Sequence, residues 1–226
     1  MSSFRQGFEF RWFGILRVAL ILSAVWGLPA FPPDPASAEM KLADSLKGMS
    51  PQQQAQYLMK EREAGRDDPE IDFFLGVAMY SMGKLDSARA CFSTAVAKDS
   101  TYTKAYVNLG IVLDAQNEPL EAEAMYKRAI VLDPVDELAL CHLGFFYYSR
   151  QQYGQAMDYY QQALAVNPGS VQAHYNLGLA FADSKIFKEA ILEWEKVVEL
   201  DPDGELGKTA ADNVRLIKQY LETDAP

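Results

Sequence analysis

One dipeptide sets the terms for this chain. Leu-Gly recurs at Leu75-Gly76, Leu109-Gly110, Leu143-Gly144 and Leu177-Gly178, a step of 34 residues each time. The rest of each unit keeps the same register. Alanine follows twelve residues after each glycine (Ala88, Ala122, Ala156, Ala190), then an aromatic four later (Phe92, Tyr126, Tyr160, Trp194). A small apolar residue comes three further on (Ala95, Ala129, Ala163, Val197). Proline falls five beyond that in three copies, at Pro134, Pro168 and Pro202, with Ser100 in the first. Units this short cannot each enclose a core, so every unit must bury its apolar face on the next.

Within a unit the apolar spacing is helical. Tyr106, Leu109, Gly110 and Leu113 share one face over 103–115, and Ala122, Tyr126 and Ala129 share one over 120–132. Gly110 and Ala122 have little or no side chain, so two helices are expected to approach there, with Tyr126 filling the gap between neighbouring units. Asp133-Pro134, Asn167-Pro168 and Asp201-Pro202 end the second helix of their units, because proline lacks the N–H and disfavours helix before it. Lys98-Asp99-Ser100-Thr101 has no proline, and a looser turn is expected there.

This pattern resembles the tetratricopeptide repeat (TPR). The resemblance implies an all-α fold, a right-handed α-solenoid of stacked antiparallel helix pairs with helical caps. It divides the chain into residues 39–68 (linker and N-terminal cap helix), repeats at 69–102, 103–136, 137–170 and 171–204, and a capping helix and tail over 205–226. Ser50-Pro51 reads as the start of the first cap, Ser50 at the N-cap and Pro51 in the first turn, with Leu58 in phase with Phe92. At the other end Leu206, Ala210, Val214, Ile217 and Leu221 form one apolar stripe, with Lys208, Arg215 and Lys218 off it.

In TPR proteins the first helix of each pair lines a concave surface. Carried over position by position, the resemblance makes the groove residues Phe73, Tyr80, Lys104, Asn108, Ile111, Cys141, His142, Phe145, Tyr148, Tyr175 and Asn176, and the partner a protein or peptide segment. Leu138 also falls on an inner position. Asn108 and Asn176 share a register, and asparagine can pair with both N–H and C=O of an extended backbone. Phe74 and His142 occupy that register elsewhere, so such a ladder is interrupted. The aromatics suit a binding surface, since they cover large areas with few rotors. Lys104 is the groove's main cation, which leaves no basis for a clamp on a C-terminal carboxylate.

The first residues read as an address. Arg5, Arg11 and Arg17 precede the apolar run Val18–Leu28, a proline-rich break and Ala36-Ser37-Ala38. That is the order of a secretory signal over residues 1–38, with cleavage leaving Glu39 first. If it stays uncut, residues 12–31 would associate with a membrane, although Arg17 interrupts them. Either way the remainder is exported, and in a bacterial source it is periplasmic.

Composition trims the alternatives. With 21 Lys+Arg against 31 Asp+Glu the formal charge is −10, and loss of residues 1–38 (three Arg, two acids) makes it −11. Such a surface is unsuited to nucleic acid, which needs a surplus of cations. Two histidines offer little for a metal, no small-molecule cofactor motif is legible, and Cys91 and Cys141 lie too far apart in a linear stack to bridge. Gly204–Thr209 lacks the spacing of a phosphate loop, and Asp201–Glu205 lacks the glycine and glutamate that complete a calcium loop. Glu193 and Glu195 are expected to be solvated. The function that follows is a non-catalytic scaffold or adaptor in the cell envelope. A module that self-assembles or docks through convex or terminal surfaces is the alternative, and an enzyme would have to work through His142 or His174.

Overall fold

The computed structural model describes residues 42–223. The chain divides into a unit over Met1–Lys47 and a unit over Gly48–Pro226. In the first, the described residues form a turn of helix at 42–46, with Leu42 and Leu46 buried. The expected signal at 1–38 lies outside the described residues.

The second unit is helical throughout its described length, with no strand among the described residues. The helices are α1 (Pro51–Glu63), α2 (Pro69–Ser81), α3 (Leu85–Lys98), α4 (Thr103–Ala115), α5 (Pro119–Leu132), α6 (Glu137–Tyr148), α7 (Tyr153–Val166), α8 (Val171–Asp183), α9 (Phe187–Leu200) and α10 (Glu205–Thr223). Each packs on its sequence neighbours, so α2/α3, α4/α5, α6/α7 and α8/α9 are antiparallel pairs. The even-numbered helices α2, α4, α6, α8 and α10 also touch one another in succession, whereas the odd-numbered ones do not come as close. A stack with one layer more tightly spaced curves toward that layer. The even helices therefore form the inner wall of an α-solenoid.

Local chemistry sets the boundaries. Ser50 and Gln53 make a reciprocal capping box at the head of α1 (3.3 and 2.9 Å), with Pro51 in the first turn. Asp68, Asp136 and Ser170 cap α2, α6 and α8 through their side chains. Each inner helix of a pair ends by donating from the residue after a left-handed position to a carbonyl five residues back, as in Lys84 N–H to Met79 O and Gln152 N–H to Tyr147 O. The left-handed residue is Gly83 in the first pair but Asn117, Gln151 and Lys185 in the others.

Two expectations change. The repeated glycine does not serve backbone contact alone: a Cβ at Gly76, Gly110, Gly144 or Gly178 would stand 2.5–2.8 Å from the ring of Phe92, Tyr126, Tyr160 or Trp194. The aromatic sixteen residues on lies over the glycine of its own pair, so the two form a single packing device. The expected loose turn at 98–101 is also closed. Asp99 accepts from the N–H and hydroxyl of Thr101 (2.8 and 2.7 Å), and Tyr102 N–H reaches Asp99 O at 3.2 Å. Asp133 and Asn167 do the same work in the turns with proline, accepting from Val135 N–H and Gly169 N–H. The closing element is the Asx residue, which all these turns share, and not the proline.

The cap residues pack as the stripes require. Leu58 of α1 is wholly buried. Leu206, Val214 and Ile217 of α10 lie on a cluster of Ala190, Trp194, Val197 and Ala210, while Leu221 is largely exposed.

Candidate functional site

The inner wall is built from one face of each even helix. In the first three pairs, the fifth residue of the unit does not belong to it. Phe73, Val107 and Cys141 are only 8 %, 6 % and 7 % exposed. Phe73 packs against Phe74, Phe92 and Tyr102, with ring centroids 5.1–5.8 Å apart. Burial pushes the Cys141 thiol up to about 12, with the carboxylates of Glu137 and Asp136 adding to it, so it stays neutral and unreactive at physiological pH. Phe73 and Cys141 are thus core residues and leave the groove list. Tyr175, the fifth residue of the last pair, stays half-buried and packs toward the Trp194 cluster; its carbonyl accepts from the Trp194 indole at 3.2 Å.

The other positions do face outward to different degrees. Tyr80 and Phe145 are exposed at 41 % and 54 %, Lys104 is exposed, and Ile111, Asn108, His142, Tyr148 and Asn176 are half-buried. Leu138 is 66 % exposed, which with Phe145 gives α6 two solvent-facing apolar groups seven residues apart. The in-phase residues are Lys104 and Gln172 for Leu138, and Val77, Ile111 and Leu179, all half-buried, for Phe145. The apolar character of the wall is therefore concentrated on α6.

The two asparagines are bonded within their own helices. Asn108 donates its side-chain amide to Lys104 O at 2.8 Å, and Asn176 accepts from Gln172 at 2.9 Å. A peptide backbone would have to displace or extend these bonds. His142 stacks on Tyr126 at 6.4 Å with the rings 4° from parallel, and burial lowers its pKa, so the neutral ring prevails at pH 7.

Sequence reasoning missed the links that set the wall's spacing. Arg150, just past α6, pairs with Asp114 of α4; its guanidinium lies 3.7 Å from the Phe146 ring centroid and donates to Phe146 O at 3.0 Å. On the other side Tyr148 donates its hydroxyl to Asp183 of α8. Burial raises the Tyr148 phenol, and the bond to Asp183 raises it further, so it remains a donor. Phe145 stacks beside Tyr148 with centroids 6.4 Å apart. The separations of 36 and 35 residues, just over one period, were the available signal.

His174 and Glu193 correct another expectation. Glu193 is not simply solvated: it lies 2.7 Å from His174 Nδ1, whose Nε2 is 3.0 Å from Pro168 O. Glu195 pairs with Lys218 of α10 at 2.8 Å. Among the described residues no three His, Cys, Asp or Glu side chains are grouped to hold a metal ion, and no helix is long and apolar enough to cross a membrane. Chemically the wall offers an aliphatic and aromatic contact surface on α6, rimmed by hydroxyl, amide and paired carboxylate groups.

Comparison with known proteins agrees with this architecture. A TPR repeat model matches residues 146–185, and tetratricopeptide repeat models match 75–137 and 171–203. No curated protein sequence matches. Among solved structures, MamA from Desulfovibrio magneticus RS-1 is 22 % identical with a TM-score of 0.62, covering 76 % of this chain and 98 % of that one. A thermophilic TPR protein of Thermus thermophilus is 18 % identical with a TM-score of 0.66, covering 79 % of this chain and 98 % of that one. YrrB, described as a TPR protein with an unusual peptide-binding site, is 24 % identical with a TM-score of 0.58, covering 75 % and 86 %. At these identities the likeness is one of fold, and the repeat models carry the assignment: the chain belongs to the tetratricopeptide repeat family.

Proposed function

We propose that this chain is a non-catalytic scaffold that holds a peptide or protein segment against its inner wall, centred on α6. The observation that carries the reading is Phe145. It is a large aromatic, 54 % exposed, at a position the fold fills with half-buried aliphatics in the other pairs. Leu138 and Tyr148 extend the same face. A segment laid there would bury an apolar side chain on Leu138 and Phe145, and find hydrogen-bonding groups in Asn108 and Asn176 on the flanking helices α4 and α8. We further propose four repeats over 69–204 and export directed by residues 1–38, to the periplasm in a bacterial source. The export reading rests on the basic, apolar and small-residue order of that segment.

Selection of random displayed peptides on the full chain tests the groove. Enrichment of apolar sequences that is lost in Phe145→Ser and weakened in Asn108→Ala/Asn176→Ala is the expected result; enrichment identical in all three proteins defeats it. N-terminal sequencing of protein recovered from the envelope should begin at Glu39.

A second reading, docking through a terminal surface, draws on Leu216 and Tyr220 of α10, 59 % and 50 % exposed. It requires concentration-dependent oligomers in light scattering that Leu216→Lys abolishes.

A further inference from the structure

A group of exposed apolar side chains in the central pairs continues beyond the inner wall. Val131 in the last turn of α5, Val135 in the connection, and Leu138 in the first turn of α6 are 69 %, 67 % and 66 % exposed. The connection between them is closed, with Asp136 N–H on Asp133 O at 3.2 Å and Val135 N–H on the Asp133 carboxylate at 3.2 Å. The three side chains are thus held at one edge of the solenoid on a fixed backbone.

The fold does not ask for them. The repeat supplies its own control, since the same three positions carry Ala97, Thr101 and Lys104 one unit earlier and Ala165, Gly169 and Gln172 one unit later, all exposed. In the last unit they carry Glu199, Asp203 and Leu206, of which only Leu206 packs, on the terminal cluster. Exposed valine and leucine at neighbouring positions on one rigid turn, where related turns of the same chain do without them, mark a contact surface.

The surrounding charge says what kind. Residues 131–138 contain three acids, Asp133, Asp136 and Glu137, and no base. Their carboxylates accept from Val135 N–H, Ala139 N–H, and Asn167 with Ser170, all uncharged donors, so these hydrogen bonds leave the three negative charges uncompensated. Arg128 lies on α5 about one helical turn before Val131. The chain as a whole carries −10.

We propose that the Val131–Val135–Leu138 ridge is a second docking surface, adjoining the inner wall at Leu138, for a cationic protein segment with an aliphatic anchor. The anchor covers the two valines, and the cations meet Asp133, Asp136 and Glu137. Charge complementarity of this kind speeds encounter and excludes acidic partners.

The test uses the full chain and two labelled probes, a short peptide of leucine and lysine and its leucine and glutamate counterpart. The lysine peptide should bind at least about tenfold more tightly, and its affinity should fall about tenfold or more as salt is raised from low to high ionic strength. Val131→Ala/Val135→Gly, which installs the residues that the next turn already carries (Ala165, Gly169), should weaken it several-fold while circular dichroism and thermal midpoint stay unchanged. Equal binding of both peptides overturns the proposal, as does binding unaffected by the paired substitution. Self-association that the paired substitution abolishes, with no peptide bound, overturns it in favour of a second copy as the occupant.

Discussion

The two ends of the solenoid are fastened by different chemistry. At the N-terminal end the fourth residue of the first unit is Asp72, wholly buried between α1 and α3. Lys98 of α3 reaches it at 2.6 Å and also pairs with Asp67, while Arg62 of α1 stands 3.5 Å away. At the C-terminal end α10 lies on Trp194, Ala190 and Val197 through Leu206, Ala210, Val214 and Ile217, with Lys218–Glu195 at its margin. An ion pair to a buried carboxylate is directional and intolerant of a missing partner, yet it adds little net stability, because the carboxylate has lost its water. An apolar stripe is stabilising in proportion to area and tolerates small displacements. The first junction therefore specifies how α1 sits, and the last one supplies adhesion.

Removing the anchor of the apolar end should have the largest effect. Trp194→Ala deletes a side chain 3 % exposed, and should destabilise by about 3–5 kcal/mol, with hydrogen exchange rising first in α9 and α10. Next comes the charged end. Lys98→Met leaves buried Asp72 with only Arg62, 3.5 Å away, and should cost about 3 kcal/mol in a denaturant titration. Asp72→Leu/Lys98→Met, which removes the charge from both, should recover most of that loss. A double variant no more stable than Lys98→Met would show that the junction depends on the pair itself.

The two ends should also part company at high pH. Burial works against the Lys98 ammonium, but its bonds to Asp67 and Asp72 outweigh that and raise its pKa above the ordinary value. A cation with a raised folded value contributes stability that is complete below the unfolded value, about 10.4, and is lost as pH rises through the folded one. Limited proteolysis well above pH ~10.4 should therefore release α1 before α10, and the order should vanish in the double variant. Tyr126 and Tyr160, whose phenols burial also raises, lie in the middle pairs and weaken neither end selectively. The smallest effect belongs to neither end. Gln151→Gly relieves a left-handed backbone position (φ 59°) and should stabilise by about 0.5–1 kcal/mol, visible as a small rise in Tm.

How much of this could be read beforehand differs from residue to residue. The bounds of α4, the N-cap at Ser50 and the packed stripe of α10 follow from local chemistry, and each was legible. The inner wall was legible only as a register. Phe73 and Phe145 are both phenylalanines on inner positions, but Phe73 is covered by Phe74, Phe92 and Tyr102 and Phe145 is open. Residue type does not separate them; the fifth and ninth positions of the unit do. The covering comes from the paired helix and the turn that follows it, through Phe92 and Tyr102. Arg150 shows the same limit from the other side: an exposed-looking arginine in a turn proves to tie α6 to α4 through Asp114.

The sequence by itself determined the period, the helices and the fact of stacking, because these depend on interactions within about one unit: caps, left-handed turns, Asx closures, and a glycine matched to an aromatic sixteen residues on. Only the tertiary structure decided which inner side chains meet solvent, how Asp72 is neutralised, and where the apolar surface concentrates. Those outcomes depend on the distance and rotation between one pair and the next. That geometry is set by the packing of whole faces, which no single position encodes.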